Sequence, residues 1–253
     1  MSVEQRKAIG TIAYMGGIMS LPEPFVWSWT QLVEYSNEAL CQTNEYIKKD
    51  RSRMSLHDMA RNELVSRMKG DWIMMLDTDM EFDPDVCARL VMLMYRHDLD
   101  VVTGLYPYKG NPALPILHMY NEETKKHEII GSWPKDANLF EVDSGGAGCL
   151  LIRRRCLEKV IKESKAFPFE RIGSWGEDFS FFSRVRQVGM KVYCAWRVQC
   201  GHLAYNPLYL AEVDMSQVPV VNSYAVSGFM LNESGSIDLA GAGRSPEGLG
   251  LVS

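Results

Sequence analysis

The six cysteines form no Cys-x-x-Cys pair, no apolar run approaches the roughly 18 residues that a membrane helix needs, and basic charge is not in excess. Each absence excludes something. Cys41, Cys87, Cys149, Cys156, Cys194 and Cys200 are scattered, several of them inside apolar segments, which argues against structural zinc and for reduced core thiols of a cytosolic protein. A net charge of −5 argues against a broad basic surface for nucleic acid. The opening MSVEQRKAIG has no apolar segment after its charges, so the expected protein is cytoplasmic, not exported and without a transmembrane segment. No internal repeat is visible, which removes solenoids and propellers.

What is present is ordinary globular material: 253 residues, 46% apolar and 23% charged, enough for a substantial core. Ala8 to Tyr14 reads as a buried strand. A helix is expected from about Trp27 to Leu40 after the loop marked by Pro22 and Pro24, with Leu32, Val33 and Leu40 toward the core. Ser55 in Ser-x-x-Asp suggests the start of a second helix, with Leu56, Ala60, Leu64 and Met68 on one face and Gly70 ending it. Trp72 to Leu76 is a strand. Asp83-Pro84 suggests the start of a third helix whose stripe is Cys87, Leu90, Val91 and Met94, and Val101 to Leu105 is a strand.

Further strands are expected at Leu139 to Val142, Cys149 to Ile152 and Lys191 to Ala195, with helices at Arg155 to Lys165 and Glu177 to Val188. The alternation predicts an α/β fold with a mostly parallel central sheet flanked by helices. Residues 1–210 form one expected domain. Residues 211–253, ending in NESGSIDLAGAGRSPEGLGLVS, form a C-terminal extension expected to be partly flexible.

Three stretches carry candidate chemistry. In DWIMMLDTDMEF, Asp77 and Asp79 follow five apolar residues, and ligands of open α/β sheets bind outside the carboxyl ends of strands. Two carboxylates there suit a hard divalent cation on a substrate diphosphate, although a solvated turn would look the same. In GEDFSFFSRVRQVG, Glu177 and Asp178 open a helix, where the macrodipole favours acids in any case; the functional reading puts catalysis here, with Asp178 as general base. Phe181, Phe182, Val185 and Val188 are core on either reading. His202, in CGHL, would complete with Asp77 and Asp79 a carboxylate–imidazole set suited to Mn2+ as well as Mg2+. In VDSGGAGCLLIRRR, Gly145 and Gly146 allow close approach to a ligand or simply a tight connection, and Arg153 to Arg155 attract an anionic partner or form a solvated helix N-terminus.

Taken together these motifs resemble a glycosyltransferase of the GT-A fold, close to family 2. The resemblance runs from Ala8 to Leu203 through AIGTIAYMGG, MARNELVSRMKGDW, IMMLDTDMEF, VDSGGAGCLLIRR, GEDFSFFSRVRQVGMKVY and CGHL. It implies that Asp77-Thr78-Asp79 is the DxD motif, its second acid on the metal and its first near the donor ribose or a metal-bound water. It implies that His202 completes the metal site and that Asp178 is the base of an inverting enzyme, the alternative being a retaining enzyme of similar fold in which Asp178 is no base. Arg61 and Asn62 would lie near the donor phosphates, and Gly145 and Gly146 beside the transferred sugar and acceptor. The co-substrate is a nucleotide-sugar. No acid that would read the nucleotide base can be placed in CQTNEYIKKDRS.

The acceptor stays open among a saccharide, a lipid-linked intermediate, a protein and a modified nucleic-acid base. Arg51, Arg53 and the Arg153 cluster offer a local basic patch, and Tyr106, Tyr108, Trp133 and Trp175 are available to stack on a sugar. The rival readings are a nucleotidyltransferase, disfavoured because no Gly-rich phosphate loop with an embedded Lys or Arg follows the first strand, and a non-catalytic nucleotide-sugar-binding protein on the same kind of sheet.

Overall fold

Apolar runs buried on both faces build the centre of the molecule. The structure, a computed structural model, describes residues 6–17, 20–110, 112–124, 126–204 and 207–208. The first half contains β1 (Lys7–Tyr14), α1 (Glu23–Leu40), β2 (Glu45–Arg51), α2 (His57–Arg67), β3 (Trp72–Leu76), β4 (Met80–Glu81), α3 (Val86–Arg96) and β5 (Val101–Leu105). Then follow β6 (Leu117–Asn121), β7 (Lys126–Ile129), β8 (Phe140–Val142), β9 (Ser144–Gly145), β10 (Cys149–Arg153), α4 (Arg154–Ser164) and α5 (Glu177–Gln187). The last are β11 (Val192–Gln199), β12 (Gly201–Leu203) and β13 (Pro207–Leu208). The expected extension 211–253 lies outside the described residues.

The main sheet has the order β2-β1-β3-β10-β5-β11-β8. Five strands run the same way, and β10 and β8 run against them. Period-two alternation splits the core in two. Trp72, Met74 and Leu76 of β3 face Phe25 and Leu32 of α1 and Leu90 of α3, whereas Ile73 and Met75 face Leu64 of α2, Val160 of α4 and Phe181 of α5. Two smaller sheets, β13-β12-β4 and β7-β6-β9, sit beside the main one.

Several boundaries differ from the sequence reading. α1 starts at Glu23 rather than Trp27, because Pro24 falls in the first turn, where a missing N–H costs nothing. α2 starts at His57 with Leu56 at its cap and no side-chain cap bond; Leu56 is 63% exposed, so Ser55 opens no helix and Leu56 leaves the core stripe. α3 starts at Val86, whose amide donates to the Asp83 carbonyl at 3.2 Å, so Asp83-Pro84 make a preceding turn. Gly70 holds φ +79 where the chain turns into β3, with Ile9 and Gly10 backbone against its Cα, so a side chain there would be strained and crowded. Cys41 is exposed; the other five thiols are buried, and all six are free. Among the described residues no helix is long and apolar enough to cross a membrane.

Candidate active site

β1 is flanked by β2 on one side and β3 on the other, so the chain reverses its winding there and leaves a crevice outside the carboxyl ends of β1 and β3. Two adjoining cavities occupy it. One, of about 350 Å3, is lined by Met15, Pro22, Thr78 and Asp79; the other, of about 400 Å3, by Arg61, Tyr106, Tyr108, Gly146, Asp178 and Phe179 among others. His57 and Asp77 line both, so they form one cleft.

Arg61 organises the second half. It is 2% exposed and donates to Asp77 Oδ1 at 2.8 Å, to Glu177 Oε1 at 3.3 Å and to the Ala147 carbonyl at 3.1 Å. Burial alone would lower its pKa, but Asp77, Glu177 and Asp178 together hold it above the ordinary arginine value. The Asp77 amide donates to the Gly148 carbonyl at 3.0 Å, which fixes the strand end to the glycine segment. Asn62 turns elsewhere: its Oδ1 accepts from the Phe169 amide at 3.0 Å and anchors the segment that precedes α5.

Asp178 is partly buried at the start of α5, with Oδ1 accepting from the Phe179 amide at 2.7 Å. Burial, and next the Glu177 charge, push its pKa up to about 6, against the opposing pull of the Phe179 amide and Arg61. Gly145 pairs with Leu117 across to β6, and Gly146 lines the cavity. A side chain at Gly146 would overlap the Tyr106 hydroxyl, which also accepts from the Gly148 amide at 2.7 Å. The glycines make room for a tyrosine.

The Asp79 half is built differently. The β4–β12 pairing, His202 opposite Met80, brings CGHL to the Asp-Thr-Asp turn, and the Leu203 amide donates to the Asp79 carbonyl at 2.7 Å. His202 Nδ1 lies 2.8 Å from the Pro107 carbonyl, and Nε2 lies 3.4 Å from Asp79 Oδ2. A carbonyl only accepts, so Nδ1 carries a proton, and Nε2 faces a carboxylate oxygen. Nε2 can meet that oxygen in two ways, by donating a second ring proton to it or by sharing a metal ion with it. Lys109 Nζ reaches the same Oδ2 at 2.5 Å from the exposed side. Burial would raise the Asp79 pKa, but hydrogen bonds from His202 and Lys109 hold it well below the usual carboxylate range.

The structure thus brings together Asp79 with His202, and Arg61 with Asp77 and Glu177 in the half that Asp178 lines. Asp77 is turned to Arg61, and among the described residues no three His, Cys, Asp or Glu side chains converge as a preformed metal cluster. Arg153 and Arg155 are engaged by Asp98 and Asp100, and Arg154 by the Gly70 and Met68 carbonyls. Trp133 stacks on Phe140 at 5.7 Å rather than on the cleft. Of the aromatics expected to stack on a sugar, Tyr106 and Tyr108 do line the cleft, whereas His57 and Lys109 went unassigned by sequence reasoning. The signal for Lys109 was its place in the stretch Tyr106-Pro-Tyr-Lys109 directly after β5, another strand end.

No curated protein matches the chain. Among solved structures, one of a protein from STIV is 19% identical with a TM-score of 0.49, covering 77% of this chain and 85% of that one. GalNAc-T7, solved with UDP, GalNAc and Mn2+, is 13% identical with a TM-score of 0.50; the match covers 78% of this chain and 43% of that longer one. This second likeness bears on the fold, which is GT-A. Residues 32–161 match the family described as Glycosyl transferase family 2. That stretch contains Arg61, Asn62, Asp77, Asp79, Gly145 and Gly146, and stops short of Glu177, Asp178 and His202. It spans just over half of the 253 residues, and the chain belongs to glycosyl transferase family 2.

Proposed function

We propose that this glycosyltransferase holds its nucleotide-sugar donor through a divalent cation on Asp79 and His202 and transfers the sugar, with inversion, to an acceptor hydroxyl deprotonated by Asp178. The observation that carries the reading is His202 Nε2 facing Asp79 Oδ2 at 3.4 Å, with Nδ1 committed to the Pro107 carbonyl. An imidazole nitrogen beside a carboxylate suits Mn2+ at least as well as Mg2+. GalNAc-T7, similar in fold, was solved with Mn2+ and UDP, the same classes of ligand. A cation there supplies charge neutralisation for the departing diphosphate.

The chain's own residues do the rest. Thr78, Asp79 and Met15 wall the half that receives the nucleotide, and Asp77, held by Arg61, stands between the two halves. In the other half the acceptor oxygen bonds to the anomeric carbon while its proton passes to Asp178. The bond from that carbon to the donor phosphate oxygen breaks, and its electron pair leaves on the nucleoside diphosphate. A base with pKa about 6 is ionised at neutral pH and more basic than an ordinary aspartate. Residues 1–210 form the domain that carries this chemistry, and five buried free thiols suit a reducing, cytoplasmic setting.

Calorimetric titration of UDP-, GDP-, ADP-, CMP- and dTDP-linked sugars, with Mn2+ and then with EDTA, tests the reading. One donor class should bind in a metal-dependent way, and Asp79→Ala should abolish that dependence. Donor affinity indifferent to EDTA would reject the cation site.

A further inference from the structure

The sheet of β6, β7 and β9 has no role in the chemistry above, yet it buries a histidine completely. His118, 0% exposed on β6, has the Tyr108 hydroxyl 3.0 Å from Nε2 and the Ser144 hydroxyl 3.2 Å from Nδ1. A neutral imidazole offers one N–H and one lone pair, so when one hydroxyl donates to the ring the other accepts from it. Either way the Tyr108 oxygen is fixed, with one further hydrogen-bonding direction available. Burial, and secondarily His127, push the His118 pKa down to about 4, so the ring is uncharged at neutral pH.

The same ring meets Phe179, centroids 5.0 Å apart, and Phe179 directly follows Asp178. Tyr108, Phe179 and Asp178 all line the second half of the cleft. One buried histidine therefore holds two walls of the chamber that contains the proposed base. In that chamber Asp77, Glu177 and Asp178 face a single guanidinium, Arg61, which makes it hostile to phosphate groups.

We infer that Tyr108 binds a second hydroxyl of the acceptor and so turns its neighbour toward Asp178, that His118 and Ser144 are positioning residues for Tyr108, and that the acceptor is an uncharged sugar with adjacent hydroxyls. The inference rests on Asp178 being the base. A tyrosine hydroxyl whose far side is already bonded presents a fixed direction to the substrate, and that fixes which acceptor oxygen meets the carboxylate.

The test uses the full chain, the donor found by titration, and nitrophenyl glycosides as acceptors, with the matching sugar phosphates as counter-probes. Tyr108→Phe should lower kcat/KM for the glycoside about tenfold or more, while the donor Kd stays within about twofold. His118→Phe should reproduce that loss, and His118→Gln, which keeps a partner for the phenol, should recover most of it. In the imidazole 15N spectrum, Tyr108→Phe should shift the His118 Nε2 signal. An unmoved signal, wild-type kcat/KM in Tyr108→Phe, a preference for sugar phosphates, or donor turnover with transfer to no glycoside would each overturn the inference. Failure of the underlying reading looks different: Asp178→Asn would then keep transferring while Tyr108→Phe does not.

Discussion

Asp77 and Asp79 stand two residues apart on one turn, yet their surroundings are opposites. Asp77 is held by Arg61, itself buried and bonded also to Glu177 and the Ala147 carbonyl. Asp79 is 37% exposed and meets Lys109 from solvent and the Nε2 of His202. One half of the cleft is finished before any substrate arrives. The other half is left for a ligand to complete on the reading proposed above. On that reading the two acids of the Asp-x-Asp turn divide the work, one organising the acceptor half and the other left for the donor.

The largest expected effect sharpens the organised half. Asp178→Asn should slow transfer by about 10²–10⁴-fold with donor Kd nearly unchanged, because the base acts in the transition state. Steady-state kinetics beside donor calorimetry checks this, and full turnover would remove the base. In the wild type, kcat/KM should fall as pH drops below about 6, where Asp178 takes up its proton.

Next comes the contrast in stability. Arg61→Leu strands Asp77 and Glu177 beside a buried apolar side chain and should cost about 3 kcal/mol in urea unfolding. Asp79→Ala breaks only a half-exposed pair and should cost under about 1 kcal/mol. Equal losses would erase the distinction between the halves.

A smaller effect comes from His118, whose folded pKa of about 4 lies below its ordinary 6.5. The unfolded chain takes the proton first as pH falls, so stability is full above about 6.5 and declines toward 4, by at most about 3 kcal/mol. The groups around this ring are Tyr108, Ser144, Phe179 and His127, with Asp143 and Arg186 near the latter. His118→Gln should flatten the acid slope of urea midpoints; an unchanged slope would assign it to other groups. Smallest of all, Lys109→Ala should alter stability by less than about 0.5 kcal/mol, since its partner is shared with His202 and solvent screens the pair.

Central strands were legible because they are mostly apolar and buried on both faces: Trp72 to Leu76 and Val101 to Leu105 match β3 and β5 residue for residue. β2 was missed because EYIKKDR is a charged edge strand, a composition that blunts edges and hides the strand from hydrophobic patterning. The Asp-Thr-Asp turn and the Glu177-Asp178 helix start could be seen locally. Their partners could not. Lys109 reaches Asp79 across 30 residues and His202 reaches the Pro107 carbonyl across 95, and nothing in local pattern encodes such meetings. Asn62 shows the converse, since a residue beside a functional arginine on one helix points to another loop and anchors it.

The most direct test of the division is Mn2+ binding in the presence of the matching nucleoside diphosphate, followed by the EPR signal of free Mn2+, in wild type, Asp79→Ala and Asp77→Asn. Asp79→Ala should weaken Mn2+ by more than about tenfold, whereas Asp77→Asn, whose partner is Arg61, should stay within about threefold. Loss of Mn2+ in Asp77→Asn as severe as in Asp79→Ala would contradict the account, because both acids would then belong to the metal.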